Sequence, residues 1–334
     1  MTKSSPKSNL LKFRNRRDSL TAPSESSLPT SSSKSTTNEP KRFLRQTGIN
    51  QILNEMFIRV CRSYMELTLH RRVVSYLVLI VVGGLIGDFA PELASWIIPI
   101  KTQKKNLLNV FFVKMGWFWT TVLLTPFVVL AGRVIENRSS WVSWSDLNRV
   151  LVATFFWFIS TNIFWRIEIQ SGSCSSKAIQ SRLLCVRSGH QWHYFDISGH
   201  TFILLYSILV IIEETKSMVN FENFGYLLDS RAQFRRKVQN KSDNHNELYT
   251  RFLVPTRVFF VLLTLLTLLW DFMLIQTVFF YHSTLQKILA AIWAVFVWFL
   301  TYKLAYPSKI FDLFRLPIRP PTRSEVLAEE DGQL

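Results

Sequence analysis

The chain has 334 residues, of which 48% are hydrophobic, and it carries 27 Phe and 11 Trp. This content is too apolar and aromatic for an ordinary soluble domain of that length, so the composition predicts an all-α, polytopic membrane protein. The formal net charge is +16, but the basic residues lie between apolar runs rather than on one soluble face. That distribution argues against nucleic acid as a partner and favours anionic lipid headgroups.

The first predicted segment, residues 1–46, is a basic tail rich in Ser, Thr, Lys, Arg and Pro. It has too few large apolar side chains to offset the entropy of ordering, so we expect a disordered tail in the cytosol. An amphipathic helix is predicted over 48–70, because apolar residues recur there at steps of three and four. We expect this helix to rest in the membrane interface, directly before the first apolar run.

Apolar runs then predict a membrane domain of about six transmembrane helices over residues 72–306, followed by a tail over 307–334. The third and fourth runs are short, which suits the thin membrane of the endoplasmic reticulum. The strongly basic loops alternate with less basic ones, so the positive-inside rule predicts that both termini are cytosolic. The predicted spans are 72–90, 107–131, 150–166, 197–213, 257–280 and 285–306.

The chain has three cysteines, too few for a disulfide framework and not spaced as metal ligands. No metal or other cofactor is evident, and a need for a divalent ion stays open. Cys174 and Cys185 share one predicted luminal loop, where they either form a disulfide or remain free thiols.

Three ionisable residues lie where predicted spans begin on the luminal side: Lys114 in span two, His200 in span four and His282 just before span six. Ionisable groups at membrane depth are costly and usually serve a site or a pair. Two imidazoles suit phosphoryl chemistry, because one can attack phosphorus while the other protonates the leaving oxygen. His190 and His193 lie in a luminal loop, where solvated histidines are more common than ligand-binding ones.

Further residues are predicted to bind substrate around this pair. Lys114 and Arg187 are candidates for holding phosphate oxygens. Ser198 and Gly199 would let the backbone approach the substrate, and the start of span four offers free N–H groups to an anion. Asn162, near the luminal end of the third span, belongs to the same layer.

The segment GHQWHYFDISGHTFILLYSILVIIEE resembles the signature region of the fat storage-inducing transmembrane proteins. FFVKMGWFWT, ATFFWFISTNIF and YHSTLQK resemble further segments of that family, in the same order. The resemblance implies an endoplasmic-reticulum enzyme that hydrolyses fatty acyl-CoA to acyl 4'-phosphopantetheine and adenosine 3',5'-bisphosphate, and that supports lipid-droplet formation and membrane homeostasis. It also implies that His200 and His282 are the catalytic pair.

The family is itself similar to lipid phosphate phosphatases, but the third phosphatase motif is incomplete here. The positions six before and four after His282, where that motif has arginine and aspartate, hold Gln276 and Gln286. His282 therefore needs a carboxylate from elsewhere to orient it, and Asp196 and Asp271 are the candidates.

Two other functions fit the same features. A phosphatase acting on phosphatidate or lysophosphatidate would use the same histidines. A non-enzymatic protein that binds triacylglycerol or diacylglycerol would use the amphipathic helix and the aromatic third span. Fatty acyl-CoA, neutral lipids and the membrane are the expected partners, and nothing in the tails specifies a cytosolic protein.

Overall fold

The computed structural model describes residues 49–98, 108–136, 144–176, 180–238 and 244–307, and nearly all of them are helical. The predicted disordered tail and almost all of the C-terminal tail lie outside these ranges. Besides the helices there are a two-stranded antiparallel hairpin and two π-helical segments, Leu108–Val113 and Leu300–Ala305. The elements are α1 (Ile49–Glu66), α2 (Leu69–Phe89), α3 (Pro91–Ile97), α4 (Gly116–Glu136), α5 (Trp144–Gln170), β1 (Ser173–Cys174), α6 (Arg182–Arg187), β2 (Trp192–His193), α7 (Gly199–Val238), α8 (Asn244–Phe280) and α9 (Thr284–Phe299).

Helix α7 forms the centre of the bundle. It contacts α1, α4, α5, α8 and α9, and all but one of the side chains from Thr201 to Val219 are buried. A helix that is apolar on all sides is expected to be surrounded by other helices. Helix α2 packs on both α8 and α9, and α4 packs on α5, α7 and α8. Helix α7 is therefore held by most of the bundle.

Among the described residues, five helices are long and apolar enough, by length and composition, to cross a membrane. They correspond to five of the six predicted spans. The remaining one, 197–213, is the first part of α7, where the charged residues Glu213, Glu214 and Lys216 directly follow the apolar stretch. The five are Leu69–Phe89, Gly116–Val134, Leu147–Gln170, Arg251–Phe280 and Thr284–Ala305.

The outer faces of these helices carry large apolar side chains that no other residue covers. In water such a surface would be a liability, whereas in a bilayer it is the surface that lipid solvates. The arrangement confirms the predicted all-α, polytopic membrane protein. Examples of these exposed side chains are Val78, Val82, Leu85, Phe155, Phe158, Leu265, Ile292 and Phe296.

The helix predicted over 48–70 is α1, which ends at Glu66. One face of α1 packs on α7 and α8 of the bundle. The buried side chains of α1 are Ile58, Cys61 and Met65. Tyr64 of α1 donates a hydrogen bond to Asp271 of α8. The opposite face stays exposed and apolar, as an interfacial helix requires. Its exposed side chains are Leu53, Met56, Phe57 and Val60.

The end of the apolar stretch of α7 is closed by a buried ionic network. The Arg149 Nε lies 3.1 Å from both carboxylate oxygens of Glu214, whose Oε1 also accepts a hydrogen bond from the Tyr302 hydroxyl at 2.9 Å. Glu213 accepts a hydrogen bond from the Lys303 ammonium at 2.6 Å. Because buried charges are stable only when paired, this network serves packing at the end of the apolar stretch of α7, away from His200.

Candidate functional site

A cleft of about 480 Å³ opens where α7 and α9 begin, and it brings the two predicted histidines together. His200 is the second residue of α7, and His282 lies in the turn between α8 and α9. Their ring centroids are 6.4 Å apart. Lys114, two residues before α4, lines the same cleft and is exposed. The remaining lining residues are Tyr194, Asp196, Phe280, Tyr281 and Gln286.

The segment that carries His200 is fixed by a serine cap. The Ser198 hydroxyl accepts a hydrogen bond from the backbone N–H of Thr201 at 3.3 Å and lies 2.9 Å from the Thr201 hydroxyl oxygen. A serine cap of this kind satisfies one of the free N–H groups of the first turn. The Ser198 backbone N–H donates to the Gln286 carbonyl oxygen at 3.4 Å, which ties the start of α7 to the start of α9. Ser198 is thus buried and structural, rather than exposed to the cleft.

His282 occupies an unusual backbone conformation. Its φ of 56° lies in the left-handed region, which for a residue other than glycine costs on the order of 1–3 kcal/mol and persists only where neighbours hold it. The next residues provide that support through a capping box at α9. The Ser283 backbone N–H donates to the Gln286 side-chain oxygen at 3.1 Å, so the glutamine is part of a helix cap.

A second support comes from α2. The Asp88 Oδ2 accepts hydrogen bonds from the backbone N–H and the hydroxyl of Thr284, at 2.8 and 2.6 Å. The Lys287 ammonium, which is buried, lies 3.8 Å from Asp88 Oδ1 and donates to the Val278 carbonyl oxygen at 2.7 Å. The turn that presents His282 is therefore clamped on both sides. The sequence does carry a signal for this clamp, because Asp88 is a carboxylate at the end of an apolar span and such a group requires a partner.

Glycines allow α2 to come this close. A Cβ on Gly87 would lie 2.4 Å from the Phe279 carbonyl oxygen, and one on Gly84 would lie 2.9 Å from the Thr284 hydroxyl. Only a residue without a side chain permits backbones to approach to this degree. The run GGLIGD thus sets α2 directly against the α8–α9 turn.

A carboxylate lies beside His282, from the segment that precedes α7. Asp196 Oδ2 is 3.7 Å from His282 Nδ1, so of the two predicted candidates Asp196 is the one in the cleft. Asp271 accepts hydrogen bonds from Tyr64 and from the Tyr76 hydroxyl, the latter at 2.7 Å, and does not line the cleft.

Of the five predicted substrate-binding residues only Lys114 lines the cleft, and besides the buried Ser198 three others do not. Asn162 is exposed and donates its side-chain amide to the Phe158 carbonyl oxygen at 2.7 Å, within its own helix. Arg187 ends α6 and is exposed. Gly199 is also exposed, and a Cβ there would meet nothing within 4 Å, so the backbone at the start of α7 is accessible.

The segment between α5 and α7 forms a small lobe beside the cleft, which we call the hairpin lobe (residues 171–197). Strands β1 and β2 pair antiparallel, and α6 is joined to β1 by a disulfide between Cys174 and Cys185. The alternative left open by the sequence is thereby resolved in favour of pairing. Within the described residues, no group of three or more His, Cys, Asp or Glu could hold a metal ion.

With this geometry in view, comparison with known proteins identifies the relatives of the chain. The family described as "Fat storage-inducing transmembrane protein" matches residues 98–175 and 167–302. The chain belongs to this family. The acyl-coenzyme A diphosphatase FITM2 of Drosophila melanogaster is 33% identical over 78% of this chain and 64% of its own length, so slightly less than two thirds of that relative is matched.

Vertebrate relatives with the same name are matched over more of their length. The Xenopus tropicalis protein is 31% identical over 75% of this chain and 88% of its own length. The human protein is 31% identical over 75% of this chain and 86% of its own length. No solved structure matches at a significant level.

In this member of the fat storage-inducing transmembrane family, Gln286 occupies the position where the resemblance to lipid phosphate phosphatases would place an aspartate, and here it makes structural hydrogen bonds. Its side chain caps α9 and its backbone carbonyl holds Ser198. The carboxylate beside His282 comes instead from Asp196, four residues before His200. The segments that carry His200 and His282 are therefore joined by the backbone hydrogen bond from Ser198 to Gln286 and by the Asp196 carboxylate, which lies beside His282.

Proposed function

We propose that this chain is a fatty acyl-CoA diphosphatase of the endoplasmic-reticulum membrane, which hydrolyses acyl-CoA to acyl 4'-phosphopantetheine and adenosine 3',5'-bisphosphate. The observation that carries the proposal is the pair of imidazoles 6.4 Å apart on one cleft, with the Lys114 ammonium on its wall. The names of the relatives agree with it, since each is called an acyl-coenzyme A diphosphatase.

In the first step, His282 attacks one phosphorus of the CoA diphosphate. Asp196 lies on the Nδ1 side of His282, which leaves Nε2 to form the N–P bond. The bridging P–O bond breaks, and the departing phosphate oxygen takes a proton from His200. The step needs His282 with a free Nε2 lone pair and His200 in its protonated form.

In the second step, water hydrolyses the phosphohistidine. His200, now neutral, accepts a proton from the water as it attacks phosphorus, and the N–P bond breaks to return His282. One water is consumed and two phosphomonoesters are released. The two products are the same whichever phosphorus is attacked first.

The charge of the diphosphate is matched by groups around the cleft. Lys114 supplies a cation to the nonbridging oxygens, and such charge stabilisation is a large part of the catalysis of phosphoryl transfer. The first N–H groups of α7, beside the exposed Gly199, point toward an anion at the helix N-terminus. Ser198 contributes by capping that helix. Asn162 and Arg187 contribute to substrate binding only through parts of the substrate that extend beyond the cleft.

The proposed orientation has both termini in the cytosol and the cleft in the lumen. The disulfide between Cys174 and Cys185 supports it, because disulfides persist in the oxidising lumen and are rare in the cytosol. The cleft lies beside the same lobe, so His200 and His282 then work on the luminal face. Neutral lipids are further proposed partners, through the exposed apolar face of α1.

The test is turnover by purified protein in detergent or nanodiscs. Oleoyl-CoA and phosphatidate are supplied separately, and products are identified by mass. We expect acyl phosphopantetheine from oleoyl-CoA, and its loss in the His200→Ala and His282→Ala proteins. A positioned general acid contributes roughly 10²–10⁴-fold, and loss of the nucleophile abolishes turnover.

The matched controls are His190→Ala and His193→Ala, because both residues are exposed and neither lines the cleft. Cleavage of phosphatidate alone would replace the proposal with a phosphatidate phosphatase. If the two alanine variants fold and still cleave oleoyl-CoA at the original rate, the lipid-binding account is the better one.

A further inference from the structure

The hairpin lobe holds one aromatic ring at the wall of the catalytic cleft. Tyr194 directly follows β2, lines the cleft and is 43% exposed. An aromatic side chain with that much exposure beside a polar site is available to stack on a ligand.

The backbone beside this ring is held by hydrogen bonds within the lobe. The Ser171 hydroxyl accepts a hydrogen bond from the Phe195 backbone N–H at 2.9 Å, on the residue next to Tyr194. The Ser175 backbone N–H donates to the Gln191 carbonyl oxygen at 2.9 Å, and the disulfide joins β1 to α6. A backbone held in this way loses little conformational freedom when Tyr194 binds a ligand.

A cation accompanies the ring. The guanidinium carbon of Arg182 lies 5.5 Å from the Tyr194 ring centroid, and 63% of the Arg182 side chain is exposed. Its carboxylate contact, to Glu168 Oε1, is long at 3.7 Å. Arginine is well suited to bidentate phosphate binding and to stacking on aromatic faces. An aromatic ring together with an arginine is the pair that proteins use to hold a base and its phosphates.

The charge of the lobe also fits an anion. Among its described residues, Arg182 and Arg187 are cationic and Asp196, beside His282, is the one carboxylate. The acyl-CoA substrate extends beyond its diphosphate as an adenosine with a 3'-phosphate. That polar half cannot enter the bilayer, so a luminal lobe next to the histidines is where it has room to bind.

We propose that Tyr194 and Arg182 form the adenine-nucleotide subsite, with the base stacked on the Tyr194 ring and the 3'-phosphate bound by the Arg182 guanidinium. This inference rests on the proposed function, since it assigns the nucleotide half of the same substrate. Such a subsite would favour a CoA ester over a lipid diphosphate that has no base.

The experiment compares three substrates on the full-length protein. Oleoyl-CoA and oleoyl-3'-dephospho-CoA differ only in the 3'-phosphate, and farnesyl diphosphate has no nucleotide. We expect Arg182→Gln to raise the KM for oleoyl-CoA roughly tenfold, the lower end for a charge-assisted hydrogen bond at an exposed site. The KM for the dephospho substrate and kcat should change less than about twofold, since the chemical step does not involve Arg182.

Tyr194→Leu should raise the KM for both CoA esters by roughly tenfold, in the range that base stacking contributes. Tyr194→Phe keeps the ring and should stay near wild type. Neither Tyr194→Leu nor Arg182→Gln should change the rate of hydrolysis of farnesyl diphosphate. The control for charge is Arg166→Gln, an exposed arginine of α5 outside the cleft lining, which should leave every KM unchanged.

Binding of adenosine 3',5'-bisphosphate, measured by calorimetry, separates this inference from the proposed function. If wild-type protein does not cleave oleoyl-CoA, the proposed function fails, and the subsite is then decided by binding alone. Weaker binding in Tyr194→Leu and Arg182→Gln, with adenosine 5'-monophosphate affected by the tyrosine change only, supports the subsite. No binding by the wild type overturns it, as do KM values in both variants that equal those of the wild type.

Discussion

Asp196 Oδ2 lies 3.7 Å from Nδ1 of His282, although Asp196 belongs to the segment that carries the other histidine, His200. The short segment DISGH therefore brings both the Asp196 carboxylate and the His200 imidazole to the His282 ring. The pairing explains how His282 can be oriented without an acidic residue at position 286, where Gln286 caps α9.

The first prediction concerns this carboxylate. We expect Asp196→Asn to lower kcat for oleoyl-CoA by roughly tenfold to a hundredfold, at or below the low end of the ~10²–10⁴-fold effect of a positioned acid–base group. The effect is modest because the Asp196 side chain is 40% exposed, so solvent screens its charge. The control is Glu92→Gln, an exposed carboxylate of α3. Wild-type kcat in Asp196→Asn would show that His282 is oriented by other groups.

The sequence predicted the centre of the site but not its supports. His200, His282 and Lys114 could be brought together because each begins a span on the same side, and that layer depends only on topology. Asp88 and Thr284 were missed because they lie on two spans far apart in the chain, and a pair of this kind depends on how the helices pack. Asn162 was predicted at the same depth as the site, but its side chain does not line the cleft. Depth does not fix direction, because successive side chains on a helix point to different sides of its axis.

The second prediction tests the clamp on the turn that presents His282. Thr284→Val removes the hydroxyl that donates to Asp88 at 2.6 Å, and we expect it to lower the free energy of unfolding by about 1.5–3 kcal/mol, the usual value for a hydrogen bond to a charged group. We also expect a lower kcat, because the left-handed conformation of His282 depends on this support.

The rescue variant for this clamp is Thr284→Ser, which keeps the hydroxyl and should restore most of kcat. Thermal unfolding in detergent gives the stability, and single-turnover cleavage gives the chemical rate. Equal kcat values for the valine and serine variants would mean that the clamp supports folding alone and does not position His282.

The third prediction contrasts two glycines. Gly87→Ala would place a Cβ 2.4 Å from the Phe279 carbonyl oxygen, so α2 must move away from the end of α8. Overpacking of this kind costs about 1–3 kcal/mol, and kcat should fall as well. Gly199→Ala meets nothing within 4 Å, so its thermal stability should match or slightly exceed that of the wild type.

The activity of Gly199→Ala tests whether substrate approaches the backbone at the start of α7. We expect a raised KM for oleoyl-CoA without a loss of stability, because the added methyl group would crowd an anion held by the first N–H groups of α7. If Gly199→Ala keeps the wild-type KM, the substrate-binding role proposed for Gly199 is wrong.

The fold was predicted more completely than the contacts that stabilise it. Long apolar runs identify membrane helices regardless of their neighbours, which is why five predicted spans have counterparts among the described residues. The first part of α7 is also predicted as a span. In the structure other helices enclose it, and its apolar stretch is followed by charged residues such as Glu214. The pairing of Cys174 with Cys185 could not be decided, since proximity in a loop does not fix side-chain geometry.

The fourth prediction concerns that disulfide. In unreduced, denatured protein we expect one alkylated thiol, on Cys61, and after reduction all three cysteines should react. Mass spectrometry counts the adducts. The double variant Cys174→Ser with Cys185→Ser should raise the KM for oleoyl-CoA and expose the hairpin lobe to protease, because disulfides of short loops typically contribute about 2–4 kcal/mol. Three alkylated thiols before reduction would contradict the pairing.

The fifth prediction tests the orientation on which the luminal site depends. The chain has natural glycosylation acceptors at Asn137 and Asn240, both outside the described residues and both in loops predicted to be cytosolic. The transferase acts only in the lumen, so neither should be modified. Ile179→Asn creates an Asn-Gln-Ser acceptor between Cys174 and Cys185, and we expect it to be used. Its matched control adds Ser181→Ala, which removes the acceptor without another change in the lobe. An endoglycosidase-sensitive shift at Asn137 or Asn240, with no additional shift from the Ile179→Asn acceptor, would reverse the orientation and put His200 and His282 on the cytosolic face.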